Sequence, residues 1–136
     1  MSEDLNLSRL HASLAREPGV TLAILFGSRA RGSAGADSDA DLAVLGDGID
    51  VVSIATALAR ATGVSVDVVQ LEGAPYPLLL EVLRDGVPVF EHEPGVYARF
   101  VSRSLSELET DLPNLRRMQR GFVERVATRG LPSVSE

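Results

Sequence analysis

The sequence contains no cysteine, no lysine, no tryptophan and only two histidines. Without cysteine there are no disulfides, zinc-thiolate sites or thiol nucleophiles, and a reducing compartment is expected. Without lysine there is no Schiff-base chemistry, and all 13 basic residues are arginine, so any fixed cation is a guanidinium. His11 and His92 have no metal-ligand spacing around them and read as surface or packing residues. A basic excess is lacking too. The formal net charge of -6 argues against binding nucleic acid or an anionic membrane through a general positive field, so any phosphate must be handled locally. The first residues, MSEDLNLSRLHASLARE, are acidic at the front and hold no uninterrupted apolar run. Neither a signal peptide nor a membrane anchor is expected there, and the expected location is the cytoplasm.

What remains is a chain of 136 residues, the size of one domain, with a single core burying roughly two-thirds of the unfolded surface. Leu7, Leu10 and Leu14 recur at helical spacing and predict a first helix of about a dozen residues, stopped by Glu17-Pro18-Gly19. The apolar run Val20 to Phe26 reads as a buried strand, and Asp41 to Leu45 as a second. A helix is expected over 49–61, with Asp50 as its cap, and "VSVDVVQL" as a third strand. Pro75 and Pro77 open a further helix that ends at Asp85-Gly86, and the proline in "VPVFE" favours an edge strand. From Val96 to Val126 apolar residues keep a three-to-four residue rhythm, with Pro113 expected to kink or divide the helix. The fold class is α/β: a small mixed sheet with helices packed on one face and further helices at the C-terminus.

The stretch LFGSRARGSAGADSDADLAVL carries the chemistry. In a strand, residues two apart point to one face, so Asp39 and Asp41 would stand side by side where the second strand begins. Their charges repel unless a cation intervenes, and hard oxygen ligands suit Mg²⁺ or Mn²⁺. Asp67, in the middle of the third strand, is costly there unless paired or bound to metal. If the second and third strands are neighbours in the right register, three carboxylates converge. Upstream, Gly27-Ser28 ends the first strand with a close-approach glycine, a hydroxyl donor and a helical turn, "SRAR", which together can seat a phosphate. A polyphosphate at Gly27-Ser28, bridged by one or two Mg²⁺ ions to Asp39, Asp41 and Asp67, fits nucleotidyl transfer. Asp67 is also placed to accept a proton from the incoming hydroxyl. The stretch lacks the Gly-Lys-Ser/Thr of a Walker loop and the spacing of a dinucleotide fold.

Gly27-Ser28, ten residues, then Asp39-Ala40-Asp41 resembles the signature of the polymerase-beta-type nucleotidyltransferases. The fuller "FGSRARG…SDADLAVL", with Asp67 following in a strand, is similar to the minimal nucleotidyltransferases, or MNT domains, over about residues 22–91. The resemblance implies an antitoxin partnered with a HEPN ribonuclease toxin, transferring AMP from ATP to a toxin tyrosine. It implies that Gly27 and Ser28 hold the triphosphate, that Asp39 and Asp41 hold the metals and that Asp67 is the third carboxylate. Residues 1–92 would be the nucleotidyltransferase core. Residues 93–136 would be a helical extension that packs on this core and contacts the partner, within a single domain overall. Direct binding of nucleic acid or membrane is not expected.

Each of these residues also has a structural reading. Asp-x-Asp at a strand start often caps or lines a solvated edge, Asp67 can belong to an ion pair with Arg31, and Arg31 divides evenly between phosphate contact and scaffold. Arg29 reads as exposed, Asp37 as a turn residue, and neither Tyr76 nor Tyr97 is marked as an acceptor. Two other functions remain: an antitoxin that only occludes its toxin through the C-terminal helices, and a transferase acting on a small, aminoglycoside-like molecule. The chain's length leaves no separate domain for such an acceptor.

Overall fold

The computed structural model describes residues 6–27 and 39–111, the side chains of 110 and 111 excepted. Eight elements follow one another: α1 (Leu7–Ala15), β1 (Val20–Phe26), β2 (Ala40–Gly46), α2 (Val51–Thr62), β3 (Val66–Gln70), α3 (Tyr76–Asp85), β4 (Val87–Glu91) and α4 (Val96–Asp111). By internal contacts the chain forms two compact units, Met1–His92 and Glu93–Glu136.

In the first unit the strands make one mixed sheet in the order β3-β2-β1-β4. β1 runs antiparallel to both β2 and β4, while β2 and β3 are parallel. The parallel pair requires a crossover, and α2 supplies it. Pro88 lies in β4, an edge strand, where its missing N–H removes no central ladder bond.

Strand alternation sorts the side chains between the two faces. Ala40, Leu42 and Val44 of β2 join Ala23 and Leu25 of β1 in a core cluster with Leu10 and Leu14 of α1 and Ile54 and Leu58 of α2. Val20 also belongs to that cluster although it is three residues from Ala23, because a register shift between Val20 and Leu22 resets the phase of β1. The intervening Leu22, Ile24, Phe26 and Ala43 are buried as well. Gly86, which ends α3, lies against Ile24: a Cβ there would stand 2.5 Å from Ile24 Cγ2. The two central strands are therefore apolar on both faces, which is why β1 reads as a continuous hydrophobic run.

Local signals account for the helix ends. Asn6 caps α1 by accepting the Arg9 N–H, and α1 is shorter than its spacing suggests, nine residues ending at Ala15. Asp50 caps α2 as its sequence position predicts, with Oδ1 accepting from the Val52 and Ser53 N–H groups at 3.1 and 3.3 Å. Asp50→Ala is expected to cost about 1 kcal/mol, read as a lower urea midpoint with an unchanged slope. α2 closes on Gly63 with φ 76°, a left-handed cap that glycine adopts without strain.

In the second unit, α4 has buried residues Tyr97, Phe100, Val101, Ser104 and Leu108, spaced three or four apart as an amphipathic helix requires. Pro113 and the apolar rhythm beyond 111 lie outside the described residues. Among the described residues no helix is long and apolar enough to cross a membrane.

Candidate active site

Antiparallel pairing brings the end of β1 beside the start of β2, and parallel pairing brings the start of β3 beside that same start. Three chain segments thus meet at one end of the sheet without any long-range design beyond strand direction. Phe26 is the register partner of Asp41 on one side, and Asp67 is its partner on the other. Register partners point to the same face, so the two aspartates lie side by side on strands whose backbones run roughly 4.8 Å apart. That face is opposite the Leu42 and Val66 side chains of the core cluster.

Sequence alone leaves this register undetermined. The pairing Ala40 with Val66 and Leu42 with Val68 buries both strands' apolar positions together, and that forces Asp41 beside Asp67. A slip of one residue would turn Ala40 and Leu42 outward. Asp67 is exposed and Asp41 is half-buried. Asp39 is exposed and stands one residue before the strand: the ladder opens with the Ala40 N–H donating to Ser65 O at 2.9 Å. The expected strand start at Asp41 therefore moves back to Ala40, because Ser65 offers a carbonyl there.

Two like charges on neighbouring strands, directly opposite in register, are unfavourable. Their donor chemistry fits a hard divalent cation: both offer carboxylate oxygens, and the chain has no cysteine or lysine. Among the described residues no three His, Cys, Asp or Glu side chains form a ready-made metal cage. An ion of the Mg²⁺ type is ordinarily held by one or two carboxylates together with substrate phosphates, so a carboxylate pair is a sufficient protein contribution.

Gly27 follows β1 directly, is buried and has φ 80°. A Cβ at Gly27 would lie 2.5 Å from Asp41 Oδ2 and 3.3 Å from its Cγ. The sequence marks Gly27 as a phosphate seat; its closeness to the Asp41 carboxylate comes only with the fold. Ser28, Arg29, Arg31 and Asp37 lie outside the described residues. The structure thus brings Gly27, Asp41 and Asp67 together, with Asp39 two positions before Asp41.

The model of the family described as Polymerase beta, Nucleotidyltransferase matches residues 8–94, which include Gly27 and all three aspartates. Among curated proteins none matches at a significant level. Among solved structures, the chain is similar to one of a toxin-antitoxin with AMP-PNP, at 26% identity and TM-score 0.68, covering 88% of this chain and 99% of that one. It is similar to a mutant of the toxin-antitoxin MntA-HpeT at 25% identity and TM-score 0.67, covering 88% and 98%. It shares the fold of a chain in the complex of a tri-AMPylated Shewanella oneidensis HEPN toxin with an MNT antitoxin, at 22% identity and TM-score 0.57, covering 86% and 92%. The resemblance drawn from Gly27-Ser28 and Asp39-Ala40-Asp41 is met by the family model and by these structures alike.

Proposed function

Because the chain belongs to the Polymerase beta, Nucleotidyltransferase family, we propose that it transfers AMP from ATP to a tyrosine hydroxyl of a HEPN ribonuclease toxin, acting as that toxin's antitoxin. The observation that carries this reading is the pairing of Asp41 with Asp67 beside Gly27 at one end of the sheet. The choice of nucleotide and partner is supported by the 26% identical toxin-antitoxin structure with AMP-PNP, whose matched chain is covered over 99% of its length.

Asp39, Asp41 and Asp67 would hold Mg²⁺, or Mn²⁺, and the triphosphate would rest at Gly27, Ser28 and Arg31. When bound, the divalent ion supplies charge neutralisation on the attacked phosphoryl and the leaving pyrophosphate. Asp67 lies on β3, an edge strand, and is exposed, so a hydroxyl carried by another protein can reach it from the unpaired side. It accepts the hydroxyl proton while the oxygen bonds to the α-phosphorus and the bond to pyrophosphate breaks. AMP ends on the acceptor oxygen, the proton on Asp67, and pyrophosphate departs.

The test is incubation of the purified chain with Mg²⁺, host lysate and ATP labelled at the α- or the γ-phosphate. Label from the α-position alone should appear on one protein band, and mass spectrometry of that band should give a HEPN toxin carrying AMP on tyrosine. Absence of α-label, with a toxin still retained in a pull-down, would instead identify an occluding antitoxin. Pyrophosphate release that depends on an added aminoglycoside would identify a small-molecule transferase.

A further inference from the structure

We propose that Gly27 is a positioning residue for Asp41: its missing side chain leaves the volume in which the Asp41 carboxylate stands, and so fixes how that carboxylate meets a divalent cation. This rests on the reading of Asp41 as a metal ligand.

The described glycines separate into kinds. Gly48, Gly63 and Gly73 have positive φ, yet a Cβ on any of them would meet nothing within 4 Å, so backbone conformation alone selects glycine there. At Gly19, Gly46 and Gly86 a Cβ would run into a backbone carbonyl oxygen. Gly27 and Gly95 both have positive φ and would meet a side chain: at Gly95 it is the far end of the long Arg99 side chain, at 3.2 Å, whereas at Gly27, with φ 80°, the atoms are Oδ2, Cγ and Cβ of Asp41, at 2.5, 3.3 and 3.5 Å.

The obstructing group is thus the end of a short side chain, which can turn away at the cost of leaving its position. Its alternatives are few. On the β1 side its register partner is Phe26, a buried ring at 7% exposure. On the β3 side its partner is the Asp67 carboxylate, toward which a like charge moves unfavourably. An added methyl at Gly27 therefore displaces the carboxylate from its place between them without removing it, and an error of about 1 Å in a ligand group is enough to cost a factor of 10² in function. A glycine that served only the approach of a phosphate would behave differently, because its replacement would leave the metal affinity of the nucleotide-free protein intact.

The experiment compares the full chain with Gly27→Ala, Gly63→Ala, Asp41→Ala and the double variant Gly27→Ala/Asp41→Ala. Mn²⁺ binding without nucleotide is read by the loss of its free electron paramagnetic resonance signal, beside thermal denaturation. Gly27→Ala should raise the Mn²⁺ dissociation constant about tenfold or more, whereas Gly63→Ala, with the same backbone strain and no obstruction, should bind like the parent. Gly27→Ala should also lower the melting temperature more than Gly63→Ala. That excess should vanish in the Asp41→Ala background, where the nearest remaining Asp41 atom is Cβ at 3.5 Å. If Gly27→Ala alone does not fold, recovery of folding in the double variant carries the same conclusion, and failure of the double variant overturns it. Parental Mn²⁺ affinity in Gly27→Ala, with affinity lost in Asp41→Ala, would overturn the positioning role and leave the metal site standing. Parental affinity in Asp41→Ala would overturn the metal role of Asp41 and this inference with it.

Discussion

Asp41→Asn is expected to lower AMP transfer by about 10³-fold or more, the scale of losing a main electrostatic contact to the reacting phosphoryl, while the protein stays folded. Asparagine preserves the volume beside Gly27 and Phe26, so the packing at this end of the sheet is kept. What is lost is the charge that a divalent ion requires. Stability should hold or rise slightly, because the carboxylate pair across β2 and β3 is dissolved. Asp41 takes part in an interaction within the folded chain, and the urea curve reads the sum of that and the relieved repulsion. The measurement is α-label transfer to the partner at fixed protein concentration, together with a urea denaturation curve. Retention of a tenth or more of the activity would show that Asp41 is not a ligand to the reacting centre.

Leu42→Ala is expected to be the most destabilising of the substitutions considered, at about 3–5 kcal/mol. Leu42 is fully buried in β2, with Leu25 and Val68 as register partners, and belongs to one core cluster with leucines of α1 and α2. A central strand flanked on both sides collapses poorly around a missing side chain, so the cavity term stays large. Against a total stability of roughly 5–15 kcal/mol, such a loss takes up a large fraction, and the melting temperature should fall by about 10–20 °C. A shift below about 4 °C would show that the site repacks. Leu42 also separates the two roles of its strand: it faces the core while Asp41, next to it, faces the opposite side. The same exchange at Val52, which is 72% exposed, should leave stability almost unchanged.

The prediction at Asp41 rests on residue types that are visible in the sequence, and the one at Leu42 on burial that is partly so. Strand β1 was legible to the residue, because an apolar run between Pro-Gly and Gly-Ser leaves few alternatives. The Asp50 cap of α2, the proline-opened α3 and the edge position of β4 were legible for similar reasons: each depends on a local conformational preference that the residue carries with it. Boundaries that depend on a partner were not. β2 begins at Ala40 because Ser65, 25 positions away, offers a carbonyl to its N–H. α1 stops at Ala15, earlier than its leucine spacing suggests.

The sequence by itself determined the chemistry available to this protein: carboxylates, the Gly27-Ser28 pair and arginines, with no thiol and no lysine. It also set the alternation that turns Ala40 and Leu42 one way and Asp41 the other. The tertiary structure decided which of those groups meet. Asp41 and Asp67 are 26 positions apart, and no local rule relates them; they become neighbours because the one parallel register that buries Ala40, Leu42, Val66 and Val68 together also aligns the two aspartates. Gly27 and Asp41 meet because an antiparallel strand must end where its partner begins. Local preference is written residue by residue, whereas contact across a sheet follows from burying apolar surface on strands far apart in the chain, and only the folded chain settles that balance.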